Sequence, residues 1–376
     1  MEPFTPPFCP RASCIHHQAG SIPYVSFCAW GSYPTRAFGR VPRFRCLACG
    51  ATFSSQTFAV DYYAKRVFDY EEIARKLSSC ESLSAIGRAY AASTDTIMNR
   101  VTRASRQVLA FESELASTRH PSEDLAADGF ESFCRSQFHP NNITILVGAK
   151  SQFVYAADHA TLRRKGRMTD GQRERRTELE KEWRPDPKGI ERSFARVAME
   201  GLRVLSDGRR SSITLWTDEH KSYGRAMAGS GCLASMREAG RIDHRTISSR
   251  AERTRTNPLF PVNYLDREIR KDLHEHVRET VCHGRNVNRQ MERFTLYAWW
   301  HNYRKPHRVR EPVFRSHAEV AGYDLPHIAK AGQKVWKRRA MLSLTELAEP
   351  GFDTWLRSRA SPGQSGPDYL PGYAMA

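Results

Sequence analysis

The chain has 376 residues, 40% of them hydrophobic, and its 58 Lys and Arg against 41 Asp and Glu give a formal net charge of +17. That length holds two or three domains, and the lack of any run of ~18 apolar residues excludes a membrane-spanning helix. Arg and Lys are spread along the whole chain, which points to a polyanionic partner, nucleic acid first. The opening MEPFTPPFCPRASC has no apolar signal core, so a cytosolic location is expected. Nine cysteines in a reducing compartment then argue for metal ligation over a disulfide framework.

Two cysteine pairs come first. FCPRASC supplies Cys9 and Cys14, and FRCLACGATFS supplies Cys46 and Cys49. Two close pairs separated by about thirty residues close a four-thiolate zinc site, structural because four protein ligands leave no open position. Gly50 suits the tight turn of backbone around a metal. YVSFCAW and RVPRFRC read as strands of a small zinc ribbon covering residues 1–62, with Cys28 as a packing residue. His16 and His17 are rival ligands, although His17 would have to displace Cys14.

From Tyr70 the pattern becomes helical, and residues 63–118 read as a helix-turn-helix domain. Leu83, Ile86 and Tyr90 share one face, AAS is a short turn, and Ser93 or Thr94 caps the next helix. Ile97 and Val101 face inward, while Thr94, Asp95, Thr96, Asn99, Arg100 and Arg103 are mostly outward, as on a recognition helix in a major groove.

After the polar linker STRHPSED the texture is α/β, giving a core over 119–310. LAADGFESF, NITILVGAK and QFVYAADHA read as three strands. A charged insertion at about 161–190 is too polar to pack and reads as a solvated helix or a DNA-facing arm. IERSFARVAMEGLRVLS is an amphipathic helix, SSITLWTD a fourth strand and IDHRTI a fifth. This order makes a mixed sheet of the ribonuclease H type, with the first and fourth strands side by side, so the expected fold class is multidomain α/β. Asp128 and Asp218, 90 positions apart, would then meet.

With these modules in order, the chain resembles bacterial insertion-sequence transposases of the acidic-triad (DDE/DDD) class that carry an N-terminal zinc ribbon. The resemblance runs from about residue 8 to 310: zinc ribbon, helix-turn-helix, retroviral-integrase-like core. Its most specific part is TNPLFPVNYLDREIRKDLHEHVRETVCHGRNVNRQMERF with WWHNYRKPHR behind it. In that family a helix with the third acid precedes a basic R-x-T segment and a Tyr/His-Asn…Pro-His run. The resemblance implies DNA strand cleavage and transfer by two divalent metals, Mg²⁺ or Mn²⁺. It also implies double-stranded DNA (element ends and target) as partner, a homo-oligomer in the DNA complex, and work at the bacterial nucleoid. The acids have an independent rationale: Mg²⁺ is a hard ion that takes few carboxylates, and two ions about 4 Å apart activate a nucleophile and stabilise a leaving oxygen.

For the third ligand, a helix from Val262 to His276 has Val262, Leu265, Ile269 and Leu273 as its buried stripe, bordered by Asp266. Relatives read Val-Glu-x-x-Asn-x-x-x-Arg; here Val262-Asn263-x-x-Asp266-x-x-x-Arg270 exchanges acid and amide. Asp266 is the favoured ligand, Asn263 a helper or substitute, and Glu292 in RQMERF the rival. Asp158 and His244 read as structural or substrate-facing. Trp299, Trp300 and Tyr303 suit base stacking or the core, and Arg278, Arg285, Arg304, Lys305 and Arg308 form a basic flank for phosphates. Residues 311–376 read as a C-terminal extension with one short helix and a disordered tail, SPGQSGPDYLPGYAMA.

The leading expectation is therefore a DNA transposase. The alternatives are a DNA-binding regulator or domesticated relative with an inactive core, and a nuclease of the same fold acting on RNA–DNA hybrids. The DNA-reading modules argue against the last.

Overall fold

The computed structural model describes residues 4–18, 23–116, 123–205, 212–277, 280–310 and 312–364, together with 370, 372 and 375. The N-terminal strands Phe27–Thr35 (β1), Gly39–Cys46 (β2) and Thr52–Ser54 (β3) form an antiparallel sheet in that order. Phe8, Tyr24, Phe44, Phe53 and Phe58 pack around the cysteines, and Met341 from the far end of the chain joins them.

Three helices follow: Tyr70–Leu77 (α1), Leu83–Ala89 (α2) and Thr94–Ala116 (α3). Each starts at a side-chain cap. Asp69 accepts from the Glu72 amide, Ser82 from Ala85 and Ser93 from Thr96. The link between α2 and α3 turns at Ala91, whose φ of +47° is left-handed. A Cβ on Gly87 would meet the Ala92 carbonyl oxygen at 2.8 Å, so the tight α2–α3 turn requires glycine there.

The larger sheet holds Leu125–Phe133 (β4), Pro140–Gly148 (β5), Val154–Thr161 (β6), Ile213–Asp218 (β7) and Ile242–Ile247 (β8). Its order is β6-β5-β4-β7-β8; β5 runs antiparallel to β4 and β6, while β4, β7 and β8 are parallel. Asp170–Glu182 (α4) and Gly189–Leu205 (α5) cross from β6 to β7, and Lys221–Gly229 (α6) and Gly231–Glu238 (α7) from β7 to β8. The charged insertion is the solvated helix: α4 buries no residue and starts at a Thr169/Gln172 capping box.

Alternation along the strands separates the two faces. Leu125, Ala127, Ile213 and Leu215 pack with α5 and α6 residues such as Phe194, Val197 and Tyr223. Ala126, Phe130, Ile143 and Ile145 face the other way, with Trp216 packed beside them. There they meet Val262, Leu265 and Ile269 of Phe260–Asp272 (α8) and Met291, Phe294 and Tyr297 of Val287–Tyr303 (α9).

Two features bear on the expected divisions. The helical region and the α/β region share one apolar cluster, running from Ile73, Ile97 and Val108 through Leu125 to Trp299, so a cut near residue 118 does not separate two cores. The cut itself falls on 117–122, outside the described residues. The C-terminal extension is built from His317–Val320 (α10), Leu325–Val335 (α11) and Glu349–Leu356 (α12). Its tail is anchored as far as Gln364: Ser361 is 1% exposed and accepts from the Val287 amide, and Gln364 accepts from Asn286. The rest of the expected disordered tail lies largely outside the described residues. Among the described residues no helix is long and apolar enough to cross a membrane.

Candidate metal centres and their surroundings

The Cys9, Cys14, Cys46 and Cys49 sulfurs lie within 4.8 Å of one another. Cys9 Sγ is 3.6 Å from Cys49 Sγ, and Cys14 Sγ is 3.8 Å from Cys46 Sγ. Two loops bring them together. Cys14 sits in the turn after Pro10, and the loop after β2 folds back so that the Gly50 amide donates to the Cys46 carbonyl, with Gly50 at φ +68°. Burial holds the Cys9 and Cys14 thiols above their usual range. Burial also acts upward on Cys46, but the Tyr24 hydroxyl and the Cys49 and Ala48 amides outweigh it and bring that thiol down to about 6. Four convergent sulfurs, one already stabilised as thiolate, fit a closed structural zinc site. His17 is not a ligand: Nδ1 is 2.7 Å from the Cys9 carbonyl oxygen and Nε2 is 2.7 Å from Ser343 Oγ. Cys28 lies in β1 opposite Arg45, outside the set.

The second constellation lies where β7 ends beside the middle of β4, under α8. Leu125 pairs with Leu215 and Ala126 with Trp216. The same offset, carried two residues on, sets Asp128 level with Asp218. Both share the parity of Ala126 and Trp216 and so face α8. On α8, Asp266 follows Leu265 and lies one turn from Val262 and Ile269, at the edge of the buried stripe. Asp128 interacts electrostatically with both other acids, and Tyr223 with all three. As a group they are more open than the four cysteines, which alone among the described residues meet the 4.8 Å spacing.

Each acid has a distinct environment. Asp128 Oδ1 accepts from its neighbour Gly129 N–H at 2.7 Å, and Asp218 Oδ1 accepts from the His220 amide at 2.9 Å. Asp266 Oδ1 is shielded from solvent and accepts no hydrogen bond among the described residues. Burial, with Asp218 nearby, raises Asp128 to about 6 against the pull of Gly129, Arg253 and Tyr223. Burial, with Asp128 nearby, raises Asp266 to about 7 against Arg270 and Arg253. A buried carboxylate oxygen without a donor among the described residues, next to the like-charged Asp128, is a site short of positive charge. Those residues fit a hard divalent cation.

Tyr223, Arg253 and Arg270 surround the acids. Arg270 donates to the Glu131 carbonyl at 3.0 Å and lies 4.5 Å over the Phe130 ring, tying α8 to β4. Arg253 donates to Asn263 Oδ1 at 3.2 Å, so Asn263 borders the acids through an arginine. The signal for Tyr223 was its place five residues after Asp218, on the first turn of α6; Arg253 had none. The rival Glu292 is elsewhere. It is 1% exposed and accepts from Thr102 of α3 and from Arg289, each at 3.0 Å, so it joins α9 to α3. Asp158 pairs with Arg359 at 2.8 Å and Arg196 at 3.2 Å, and His244 Nε2 is 2.9 Å from Thr217 Oγ1; both are structural.

Two grooves open near the end of β7, one reaching Trp216 and the other Glu219 and His220; none of the three acids is in either lining. One, of about 940 Å³, is lined by Lys150, Trp216, Arg255, Tyr264, Arg308 and Arg310. The other, of about 1240 Å³, is lined by Gln137, Arg163, Lys165, Arg184, Lys221 and Arg225.

The residues expected to touch DNA divide. Thr94 and Asn99 are exposed at the start of α3, with Thr96 half-buried beside them. Arg100 and Arg103 are turned inward, contrary to expectation. Arg100 is 8% exposed, donates to the Tyr70 hydroxyl at 3.3 Å and lies 5.1 Å over Phe68. Arg103 donates to the Val60 and Tyr62 carbonyls and stacks 4.0 Å over Tyr62. Arg304 chelates Glu71 with bonds of 2.7 and 3.3 Å, and Lys305 is held by Glu268 and Asp272, so both lock helices together. Arg285 and Arg308 are exposed, and Arg278 lies outside the described residues. Trp299 and Tyr303 are buried, with Trp300 packed against them, so all three serve the core.

No protein-family model matches the chain, and no curated protein matches it in sequence.

Proposed function

We propose that the protein is a DNA transposase: a metal-dependent polynucleotidyl transferase that cleaves the ends of an insertion sequence and joins them to target DNA. The observation that carries this reading is the approach of Asp128, Asp218 and Asp266 from β4, β7 and α8 on one face of the sheet, all three acting on Tyr223, with a buried Asp266 oxygen that has no donor among the described residues. The strand order with its antiparallel second strand supports a ribonuclease H-like core. The four cysteines support a zinc ribbon, and the α2–turn–α3 unit a helix-turn-helix.

Asp128, Asp218 and Asp266 would hold Mg²⁺ or Mn²⁺, which supplies Lewis acidity to activate a water or 3′-hydroxyl and to stabilise the leaving oxygen. Within the chain, Asp128 and Asp218 are fixed by backbone, through the Gly129 and His220 amides. Arg270 anchors α8 so that Asp266 faces the strands. Tyr223 holds its hydroxyl toward Asp128. The grooves that reach Trp216 and His220 carry Arg255, Arg308 and Arg310 in one and Arg163, Lys165, Lys221 and Arg225 in the other, beside a smaller number of acids, and would take phosphates of a duplex near β7. A homo-oligomer that pairs two element ends, working at the nucleoid, completes the proposal.

The test uses duplex DNA carrying the sequences that flank the gene. With Mg²⁺ the wild-type chain should release ends and join them to a target plasmid. Asp128→Asn and Asp218→Asn should bind the same duplex within about twofold yet lose cutting by at least about a hundredfold. Variants that still cut would remove the acids from the chemistry.

A further inference from the structure

Between Glu2 and Asp61 the sequence has no acidic residue but five arginines, Arg11, Arg36, Arg40, Arg43 and Arg45. The fold concentrates this charge on the β1–β2 hairpin. The ribbon's apolar cluster takes Phe27 and Phe44 at the foot of the hairpin and nothing from 28–43. Beyond that foot only two strands pair, Ser32 with Pro42, Pro34 with Arg40 and Thr35 with Gly39. Val41 is buried on the inner side, where Tyr33 and Arg43 line a groove with Tyr62 and Arg339, and the outer side and tip are open. The third strand reaches only Arg43–Arg45.

Trp30, Arg36, Arg40 and Arg45 are exposed along this rod. Two of the arginines are held in place by neutral partners. Arg40 Nε donates to Ser32 Oγ at 2.9 Å, and the Arg45 guanidinium lies 5.0 Å over the Trp30 ring. Neither contact cancels the charge. A solvated, one-signed, preorganised arginine surface is a match for phosphate and for base edges. The inward turn of Arg100 and Arg103 sharpens the point, because the exposed start of α3 offers hydroxyls and amides and leaves the cationic contacts to be made elsewhere.

We propose that the β1–β2 hairpin is a second DNA-reading element that enters the major groove of duplex DNA as a two-stranded ribbon. Arg36 and Arg40 lie at its tip, and Arg45 with Trp30 rests against the flanking backbone. A major groove about 12 Å wide admits such a ribbon, and arginine at its edge pairs with guanine or phosphate. Duplex is favoured over single strand because single-strand surfaces array open aromatic rings for stacking. Here the exposed ring is Trp30, and Arg45 lies over it. The inference rests on the DNA-handling reading above but not on its chemistry.

The experiment titrates the full zinc-loaded chain with a fluorescent duplex of about 30 base pairs carrying the gene's flanking sequence, over a range of salt concentrations. Arg36→Ala/Arg40→Ala should bind about tenfold more weakly near 0.1 M salt, with the slope of log K against log salt shallower by about two. Zinc content and melting of the double variant should match wild type; if they do not, Arg36→Gln/Arg40→Gln replaces it. Unchanged affinity and slope would overturn the hairpin's role. An equal loss on a single strand of the same sequence would overturn groove docking. Absence of duplex binding by the wild type would instead bring down the DNA reading itself, and this inference with it.

Discussion

Asp266 carries the sharpest consequence at the scale of single residues. Its carboxyl is raised to about 7 by burial and then by Asp128, and that of Asp128 to about 6 by burial and then by Asp218. In the unfolded chain both titrate near 4. Between about pH 4 and 7 the folded state therefore holds more protons, so the stability of ion-free protein falls as pH rises through that window. Mg²⁺ should stabilise most above pH 7, where the acids are ionised. Asp266→Asn should raise the ion-free melting temperature at pH 8 by roughly 2–4 °C and shrink the Mg²⁺-induced shift. Calorimetric melting at pH 5 and 8 checks this; a lower ion-free melting temperature for the variant at pH 8 contradicts it. Asp218 was legible in the sequence because it ends the apolar alternation of β7, and Asp128 because it interrupts that of β4 between Ala126 and Phe130; the strand order sets the two strands side by side. Asp266 was legible from the period of α8. Arg253 was not, because it lies in an irregular loop with no period to place it.

The element whose reading changed most is α3. Its polar face was expected to point outward, and for Thr94 and Asn99 it does. Further along, Phe68, Tyr70 and the 60–62 segment cover the same face, and the long arginine side chains pack on aromatic rings while their head groups bond to hydroxyl and carbonyls. Periodicity marks a polar face, but it does not say whether a distant segment folds over it. Arg100→Ala should thus cost about 1–3 kcal/mol of stability and leave duplex affinity nearly unchanged. Asn99→Ala should leave stability within about 0.5 kcal/mol and weaken duplex binding. Denaturant melts and DNA titrations of the two variants separate these outcomes; the reverse pattern would restore Arg100 as a DNA contact.

Across the whole molecule, the C-terminal extension fastens the modules to one another. Ser343 meets His17 of the ribbon, Gln107 of α3 accepts from the Ala340 amide, and Arg106 donates twice to the Trp355 carbonyl. Arg359 reaches Asp158 in β6 at 2.8 Å. A tail rich in Pro, Gly and Ser reads as disorder, because composition does not register a well-placed anchor such as Ser361, nor the nearby Trp355 and Arg359 that hold the segment before it. Arg359→Ala leaves a buried Asp158 with Arg196 as its remaining arginine partner, and should cost on the order of 3 kcal/mol. Helices and sheet should still melt in one transition, since one apolar cluster spans them. An early, separate melt of the N-terminal half would contradict this unity.

The central claim is that Asp128, Asp218 and Asp266 form one cation site and that Glu292 stands outside it. The direct measurement is Mn²⁺ binding to the zinc-loaded chain at pH 8, by calorimetry and electron paramagnetic resonance, in wild type and four single variants. The account predicts that Asp128→Asn, Asp218→Asn and Asp266→Asn each weaken Mn²⁺ binding by at least about tenfold, while Glu292→Gln binds as wild type. Wild-type binding by Asp266→Asn together with loss in Glu292→Gln would contradict it.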